Sequence, residues 1–248
     1  MNINDIYTQL LYSTAPISVE NVDGTNVEAT AFFYMFYDEN KQNIPFLITN
    51  YHVIERAKRI YSEFFVREGN LPSKTNKVTV ELNLPTAKRY SSPELDLVAI
   101  PIGHLINQLE NTSTPIFIRA ITSDLVPSLE QINQLSAVEN VKYIGYQKNL
   151  SKLLPLVRGA STSTPVWSNY NDKKAFLIDS NIMPGVSGSP VFIASQGMYS
   201  ENGGIVLGGN RVMFLGVVSA GLPNSLGLVL NSELIDQFLH SVVINKST

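Results

Sequence analysis

The chain has 248 residues, of which 44% are hydrophobic and 16% are charged, as is typical of a globular protein with one large or two small domains. Its formal net charge is −3, and its lysines and arginines occur singly or in pairs, so it lacks the clustered basic face that nucleic-acid binding requires. Because there is no cysteine, the sequence excludes disulfides, thiolate metal sites and a cysteine nucleophile, and it suits a reducing cytosol.

Targeting signals are not evident. Residues 1–6 lack the basic and then apolar order of a secretory signal. No run approaches the roughly 18 apolar residues of a membrane span. We therefore expect a cytoplasmic protein that does not bind membranes. A processed chain whose leader has been removed is the alternative.

The first half is predicted to consist mainly of short strands after a weak amphipathic helix at residues 5–12 and a turn-rich connection at 21–26. Segments 27–37 and 44–49 are rich in β-branched and aromatic residues, and the polar residues between them indicate a hairpin tip. The remaining predicted elements are a helical turn and three strands, at 53–58, 60–66, 77–82 and 95–102. Short strands at this spacing favour a barrel or sandwich over an alternating β-α fold.

A connector with a helix at residues 128–135 is predicted to separate the two halves of the chain. Strands then resume, at 140–146, 154–161, 175–179, 190–194 and 212–219. The glycine-rich segment 197–210 is predicted to be a long loop, and it lacks the Gly-Lys-Ser/Thr ending of a phosphate-binding loop. The chain ends with a predicted amphipathic helix at 232–243.

A serine between two glycines, in Gly185-Val186-Ser187-Gly188-Ser189-Pro190, is the first candidate for chemistry. Attack by a hydroxyl on a carbonyl requires backbone N–H groups directed at the oxygen that becomes negative. Gly185 would allow its own N–H and that of Ser187 to face one small hole. Gly188 would leave room behind the serine. The same residues are also typical of a β-turn between strands, so the interpretation depends on a base and an acid elsewhere.

His52 and Asp96 are the candidates for that base and acid. His52 lies at the end of a predicted strand, where a short helical turn begins, and a buried histidine at such a place could simply cap or fill a core. His104 in an apparent loop and His240 in the last helix suit the surface. Three isolated histidines without cysteine argue against a zinc site. Asp96 opens an apolar strand and must be paired if that strand is central. An exposed strand start is the alternative, and it suits Glu94 better.

In the order His52, Asp96, Ser187, the chain resembles the trypsin-like (chymotrypsin-fold) serine peptidases, above all their disulfide-free bacterial members. The resemblance rests on Thr49-Asn50-Tyr51-His52-Val53, Leu95-Asp96-Leu97-Val98 and the Ser187 motif. Segments 215–221 and 227–230 resemble the strand lining the substrate groove and the closing strand, so the match runs from about residue 27 to the end.

An α/β-hydrolase is the nearest rival. It places its acid and histidine after the serine, as Asp236 and His240 are placed here, but it needs Gly-x-Ser-x-Gly opening a helix. The fifth motif position is Ser189 instead, and residues 190–193 have the composition of a strand. This alternative is therefore rejected.

The resemblance implies an all-β fold of two antiparallel β-barrels with a short N-terminal and a C-terminal helix. Barrel 1 would span about residues 27–115, a connector 116–135, barrel 2 136–230 and the last helix 232–243. Ser187 would be the nucleophile, His52 the base and Asp96 the group that orients His52. The N–H groups of Gly185 and Ser187 would form the oxyanion hole.

The resemblance also implies a pocket for the residue before the cut bond. Asn181 would lie at its base, and its other lining residues would be Ile182, Ser219, Ala220, Gly221 and Gly227. Because Asn181 carries no charge, we expect preference for an uncharged side chain. Selectivity should be modest, since a methylene's fit in such a pocket contributes only about 1–3 kcal/mol.

The implied function is that of a serine endopeptidase acting on protein or peptide substrates without a cofactor. Val186 stands where zymogen-activated relatives have an aspartate, so proteolytic trimming is not the expected switch. The active conformation would be permanent, or induced by a substrate or a protein partner. The alternative is a catalytically silent protease fold that binds peptides or proteins.

Overall fold

The computed structural model describes residues 2–37, 42–150, 153–201 and 204–243, and β-strands dominate it. The first half contributes nine strands, at Thr14–Asn21 (β1), Asn26–Tyr37 (β2), Asn43–Thr49 (β3), Ala57–Glu68 (β4), Leu71–Leu82 (β5), Ser91–Ser92 (β6), Leu97–Pro101 (β7), Ile116–Phe117 (β8) and Ile121–Thr122 (β9). They form one sheet in the order β5-β4-β1-β2-β3-β7-β6, with β8 on β4 and β9 on β2. All of these pairs are antiparallel except β2 with β9.

The second half closes into a six-stranded antiparallel barrel. Its strands are Asn140–Gly145 (β10), Leu156–Thr162 (β11), Ala175–Asp179 (β12), Pro190–Glu201 (β13), Gly204–Leu222 (β14) and Leu226–Asn231 (β15). They follow the order β10-β11-β12-β15-β14-β13 around the barrel. The hydrogen-bonded path of the first sheet instead ends at β5 and β6 within the described residues. The predicted all-β fold with two β units is confirmed.

Six α-helices lie in the part of the chain that the structure describes, at Ile6–Leu11 (α1), Tyr51–Ile54 (α2), Leu84–Arg89 (α3), Gly103–Glu110 (α4), Leu129–Asn133 (α5) and Glu233–Val243 (α6). The N- and C-terminal helices were both predicted and are confirmed. None of these helices has both the length and the apolar character needed to cross a membrane.

A shared apolar core joins the two halves and the C-terminal helix. It contains Phe32 and Tyr34 of β2, Phe214 of β14 and Phe238 of α6, all fully buried. The ring centroids of Phe32 and Phe214 lie 5.4 Å apart. The Tyr34 hydroxyl donates a 2.7 Å hydrogen bond to Asp236 of α6, so the helix is held by a polar contact as well as by apolar burial.

The structure corrects three predictions about local elements. In segment 197–210, predicted to be a loop, residues 197–201 and 204–210 instead belong to β13 and β14, which are paired from Pro190↔Val217 to Glu201↔Gly204; residues 202–203 lie outside the described residues. One of its glycines, Gly197, lies at a register shift in this hairpin, a place where strands accept glycine. His104 lies in α4 rather than in a loop. The helical turn predicted at 53–58 is α2, which ends at Ile54.

Strand β1 was not predicted from the sequence, and its burial pattern explains why it forms. Ala15, Ile17 and Val19 alternate with more polar residues and are buried in the core of the first sheet. Pro16 between them argued against a strand, since proline cannot donate a ladder hydrogen bond. Proline keeps its carbonyl as an acceptor, and the carbonyl of Pro16 accepts a 2.8 Å hydrogen bond from the Ser62 hydroxyl of β4.

Candidate active site

Strand pairing brings His52 and Asp96 to the same edge of the first sheet. His52 lies in α2 directly after β3, and Asp96 directly precedes β7. These two strands are antiparallel neighbours, and Thr49 pairs with Val98. The residue that leaves one strand therefore lies beside the residue that enters the other. Ser187 lies in the turn before β13, on the side of the second barrel that faces this edge, where its carbonyl reaches β2.

The carboxylate of Asp96 holds His52 by three contacts. Both carboxylate oxygens lie 3.0 Å from Nδ1 of His52, and Oδ1 also accepts the backbone N–H of His52 at 3.0 Å. A neutral imidazole that donates from Nδ1 keeps a lone pair on Nε2. The pair can therefore present an oriented proton acceptor, since the histidine side chain remains 46% exposed.

The backbone of Asp96 is held in an uncommon conformation. Its φ is +51°, in the left-handed region that residues other than glycine rarely occupy. The side-chain amide of buried Asn50 donates a 3.1 Å hydrogen bond to the Asp96 carbonyl. Asn50 was part of the quoted histidine motif, but the sequence did not indicate this contact.

The environment of Asp96 keeps its carboxyl ionised. Burial alone would raise its pKa, but the side-chain and backbone hydrogen bonds from His52 outweigh burial, with a smaller contribution from Ser219. The net result is a pKa below the ordinary aspartate value. A carboxylate that is charged above this lowered pKa can both orient the imidazole and stabilise its protonated form.

Two glycines give the Ser187 turn its shape. Gly185 and Gly188 have φ of +97° and +84°, values that favour glycine. A Cβ on Gly188 would collide with the carbonyl oxygen of Thr30, and one on Gly185 would collide with the carbonyl oxygen of Tyr146. Both close approaches therefore require the absence of a side chain, as the sequence predicted for Gly188.

The backbone donors of Gly185 and Ser187 are available to a ligand. The Pro184 carbonyl accepts a 3.0 Å hydrogen bond from the N–H of Lys148. Because C=O and N–H point in opposite directions across a trans peptide, the Gly185 N–H points away from Lys148. Within the described ranges, neither this N–H nor that of Ser187 has an acceptor. The pair can therefore bind a negatively charged oxygen.

Ser219 connects the serine with the carboxylate. Its hydroxyl donates a 2.7 Å hydrogen bond to Oδ2 of Asp96, while its carbonyl accepts a long hydrogen bond of 3.5 Å from the Ser187 hydroxyl. No hydrogen bond joins Ser187 to His52 in the part of the chain described. The sequence placed Ser219 only in the substrate groove and missed its contact with Asp96, because a serine in a strand gives no such signal.

The residues predicted to line a specificity pocket occupy different environments. Asn181 is exposed, whereas Ile182 is half-buried and packs against the apolar core of the second barrel. A Cβ on Gly227 would lie 2.8 Å from Cδ1 of Ile182, and one on Gly221 would lie 3.3 Å from its Cβ. The Ile182 side chain thus occupies the space beside these two glycines. Ala220 is half-buried on the same strand as Gly221.

The described residues contain no group of three or more His, Cys, Asp or Glu side chains that could hold a metal ion. His52 and Asp96 are only a pair, and Ser187 and Ser219 are their polar neighbours. The chemistry available to this site is that of a hydroxyl, an imidazole, a carboxylate and backbone donors.

The comparisons with known proteins show the fold. No family model and no curated protein matches the sequence. Among solved structures, the chain is similar to the HtrA-type protease AlgW with a tripeptide, with a TM-score of 0.58 and 14% identity over 96% of this chain and 62% of that one. The chain therefore spans less than two thirds of AlgW.

Two other proteases have the same architecture. The active form of the Rv3671c protease from M. tuberculosis gives a TM-score of 0.55 at 14% identity, over 97% of this chain and 85% of that one. Tobacco etch virus protease with its product gives 0.54 at 13% identity, over 98% and 82%. At these identities the likeness is one of fold. The chain has the chymotrypsin-like fold that the sequence motifs predicted.

Proposed function

We propose that this chain is a serine endopeptidase that cleaves peptide bonds through Ser187, His52 and Asp96. The arrangement around Ser187 carries the proposal. Its hydroxyl and the Asp96 carboxylate that holds His52 both bond to Ser219, and beside it lie two backbone donors with no acceptor among the described residues. The proteases that share the fold support the same reaction class, although fold alone does not determine function.

In the proposed reaction, Oγ of Ser187 forms a bond to the carbonyl carbon of the substrate while Nε2 of His52 takes the hydroxyl proton. The oxygen of the tetrahedral intermediate is held by the N–H groups of Gly185 and Ser187, typically worth about 3 kcal/mol for each donor. The intermediate then collapses, the C–N bond breaks, and His52 gives its proton to the leaving nitrogen. Water attacks the acyl-enzyme with His52 again as base, which releases the acid and restores Ser187. No cofactor takes part in these steps.

A peptide-binding module without turnover is the second candidate. The observation in its favour is that the Ser187 hydroxyl bonds to the Ser219 carbonyl instead of to His52. Catalytic hydrogen bonds are often long or misdirected in ligand-free structures and tighten when substrate binds, so this geometry suits a resting enzyme as well.

A fluorophosphonate probe separates the two candidates. The enzyme predicts a covalent adduct on Ser187, located by peptide mass spectrometry, that is absent from Ser187→Ala and retained in Ser168→Ala, which changes an exposed serine. An unlabelled Ser187 in folded wild-type protein would support the binding module and overturn the proposed enzyme.

Activation is proposed not to require an N-terminal ion pair. Val186 is only 2% exposed and packs in the apolar cluster that contains Ile178 and Val218. Apolar burial thus holds the residue before the nucleophile where an aspartate would need a cationic partner. The site would then be formed permanently, or completed by its substrate or by a protein partner.

The pH dependence of the proposed reaction should have a single acid limb. His52 must be neutral to accept a proton, so kcat/KM should rise with pH along this limb. Because the pKa of Asp96 lies below 3.8, Asp96 stays ionised throughout this rise. A rate independent of pH between about 5 and 8, with chemistry shown to be rate-limiting, would contradict a histidine base.

The lowered pKa of Asp96 also makes the free energy of unfolding depend on pH. The folded state favours the ionised form of Asp96 more than the unfolded state does, so its contribution is present above the ordinary value of 3.8 and disappears as the pH falls through the lowered pKa. In urea unfolding below about pH 4, Asp96→Asn should therefore depend less on pH than the wild type.

The residue before the cut bond is proposed to be uncharged, in a pocket lined by Asn181, Ile182, Ser219, Ala220, Gly221 and Gly227. Since Ile182 fills space beside Gly221 and Gly227, small side chains should be preferred, and Ile182→Ala should raise kcat/KM for larger apolar residues about tenfold. Profiling with a peptide library measures both effects.

Ile132→Ala is the matched control, because Ile132 is also a half-buried isoleucine of the same apolar cluster. A dominant Arg, Lys, Glu or Asp before the cut would overturn the pocket assignment and leave the catalytic residues untouched. An unchanged profile in a folded Ile182→Ala variant would show that Ile182 does not border the pocket.

A further inference from the structure

Thr30 belongs to β2 of the first sheet, but its polar groups bind the Ser187 turn of the second barrel. It is fully buried. Its hydroxyl donates to the Gly185 carbonyl at 2.8 Å and accepts the Tyr146 N–H at 2.8 Å. Its own N–H donates to the Ser187 carbonyl at 2.9 Å. One side chain and one peptide thus contact both residues of the candidate oxyanion hole.

The place of Thr30 in the sheet leaves these groups free for the contact. The ladder between β2 and β3 begins at Phe32↔Ile48, and Thr30 lies beyond its end. In an antiparallel strand, each residue directs its N–H and C=O to one neighbouring strand, and the residue two positions away faces the same neighbour. Thr30 therefore faces the same side as Phe32, which pairs with β3, but β3 does not extend as far as Thr30. There its N–H meets Ser187, and its carbonyl accepts a 2.8 Å hydrogen bond from the Thr49 hydroxyl.

The hydroxyl of Thr30 also ties two loops of the second barrel together. Tyr146 and Gly185 lie on different segments, and both bind the same Oγ1 atom. The segment that contains Tyr146 continues to Lys148, whose N–H holds the Pro184 carbonyl at 3.0 Å. The direction of the Gly185 N–H therefore depends on a loop that the Thr30 hydroxyl anchors.

We infer that Thr30 is a positioning residue, which directs the backbone donors of Gly185 and Ser187 toward the oxyanion; this inference rests on the proposed peptidase function. Without the hydroxyl, the buried Gly185 carbonyl and Tyr146 N–H lose their partner. Buried backbone groups are strongly driven to find another partner. The Gly185 carbonyl would have to turn to find a new partner, and this rotation of the backbone is easy at Gly185 because glycine has no side chain to restrict it.

A displaced donor weakens an interaction made mainly in the transition state, so the effect should fall on kcat. Thr30→Val keeps the shape of the side chain and removes the hydroxyl. On the peptide that the wild type cleaves best, we expect kcat to fall on the order of 10- to 100-fold, with KM changed by less than about threefold. The rate of Ser187 phosphonylation by the fluorophosphonate should fall in parallel. The midpoint of the pH profile should not move, because the contact between His52 and Asp96 is intact.

Two further variants separate positioning from a general loss of structure. Thr30→Ser keeps the hydroxyl and should restore kcat to within about threefold of wild type. Thr79→Val makes the same chemical change at an exposed strand position and should behave as wild type. Circular dichroism at the assay temperature checks that each variant is folded. If Thr30→Val is not, Thr30→Ala removes the same hydroxyl with less crowding.

The outcomes are distinct. Folded Thr30→Val with wild-type kcat would overturn the inference, as would a Thr30→Ser variant as impaired as Thr30→Val. If neither hydroxyl-free variant folds while Thr30→Ser does, the hydroxyl supports the fold as a whole, and a role confined to positioning is wrong. If wild-type Ser187 does not react with the probe, the proposed function itself fails, whatever Thr30 does.

Discussion

Replacing Ser187 by alanine is expected to lower peptide-bond hydrolysis by about 10⁴- to 10⁶-fold. The substitution removes the only atom proposed to form the acyl bond, while the backbone donors of the turn remain. His52→Ala should have a loss of similar size, because a serine without a base is a poor nucleophile and the leaving amine receives no proton. Losses at residues that act as one unit do not add, so the double variant should be no slower than either single one by more than a small factor.

The measurement is initial-rate hydrolysis of the best library peptide, with unfolding curves to show that the variants remain folded. Ser168→Ala and His104→Ala change exposed residues of the same types and should leave the rate unchanged. If Ser187→Ala hydrolyses peptides like the wild type, the catalytic assignment is wrong as a whole.

Asp96→Asn is expected to lower kcat by about 10⁴-fold with little change in the structure of the site. The backbone N–H of His52 binds Oδ1 at 3.0 Å and would keep the amide oxygen of the new side chain at that place. The amide nitrogen then replaces Oδ2, which lies 3.0 Å from Nδ1 of His52. An N–H facing Nδ1 favours the tautomer with the ring proton on Nε2, and in that tautomer His52 cannot accept the serine proton.

Nitrogen-15 spectra of the ring check this argument directly, since the two tautomers of a neutral histidine give different signals from Nδ1 and Nε2. Asp172→Asn, at an exposed turn residue, is the matched control. A variant with the Nε2-protonated ring and wild-type kcat would show that His52 is not the base. A slow variant with the original tautomer would show that Asp96 acts through its charge alone.

Thr30 extends the site beyond these three residues and links the two halves of the chain. Its hydrogen bonds reach Gly185 and Ser187, so the first sheet contacts the residues that carry the backbone donors as well as holding His52. Thr30 thus ties the backbone of the proposed oxyanion hole in the second barrel to a strand of the first sheet.

Much of the fold was predictable because strand composition and helical periodicity can be read from the sequence. The β-branched and aromatic residues of 27–37 and the 3.6-residue spacing in 232–243 gave a strand and a helix close to their observed limits. Pro16 argued against a strand at β1, and the glycines of 197–210 indicated a loop where β13 and β14 are paired. In both cases tertiary pairing outweighed local preference.

The sequence by itself identified the residues that are proposed to do the chemistry. His52, Asp96 and Ser187 stand in short motifs whose order and neighbours indicate a reaction class, and the glycines of the turn are required by local backbone geometry. Only the tertiary structure decided how these groups are held. The contacts of Ser219 with Asp96, of Asn50 with the Asp96 carbonyl and of Thr30 with Gly185 join residues far apart in the chain. Serine, asparagine and threonine can each bond many partners, so their local sequence carries no sign of which partner folding places beside them.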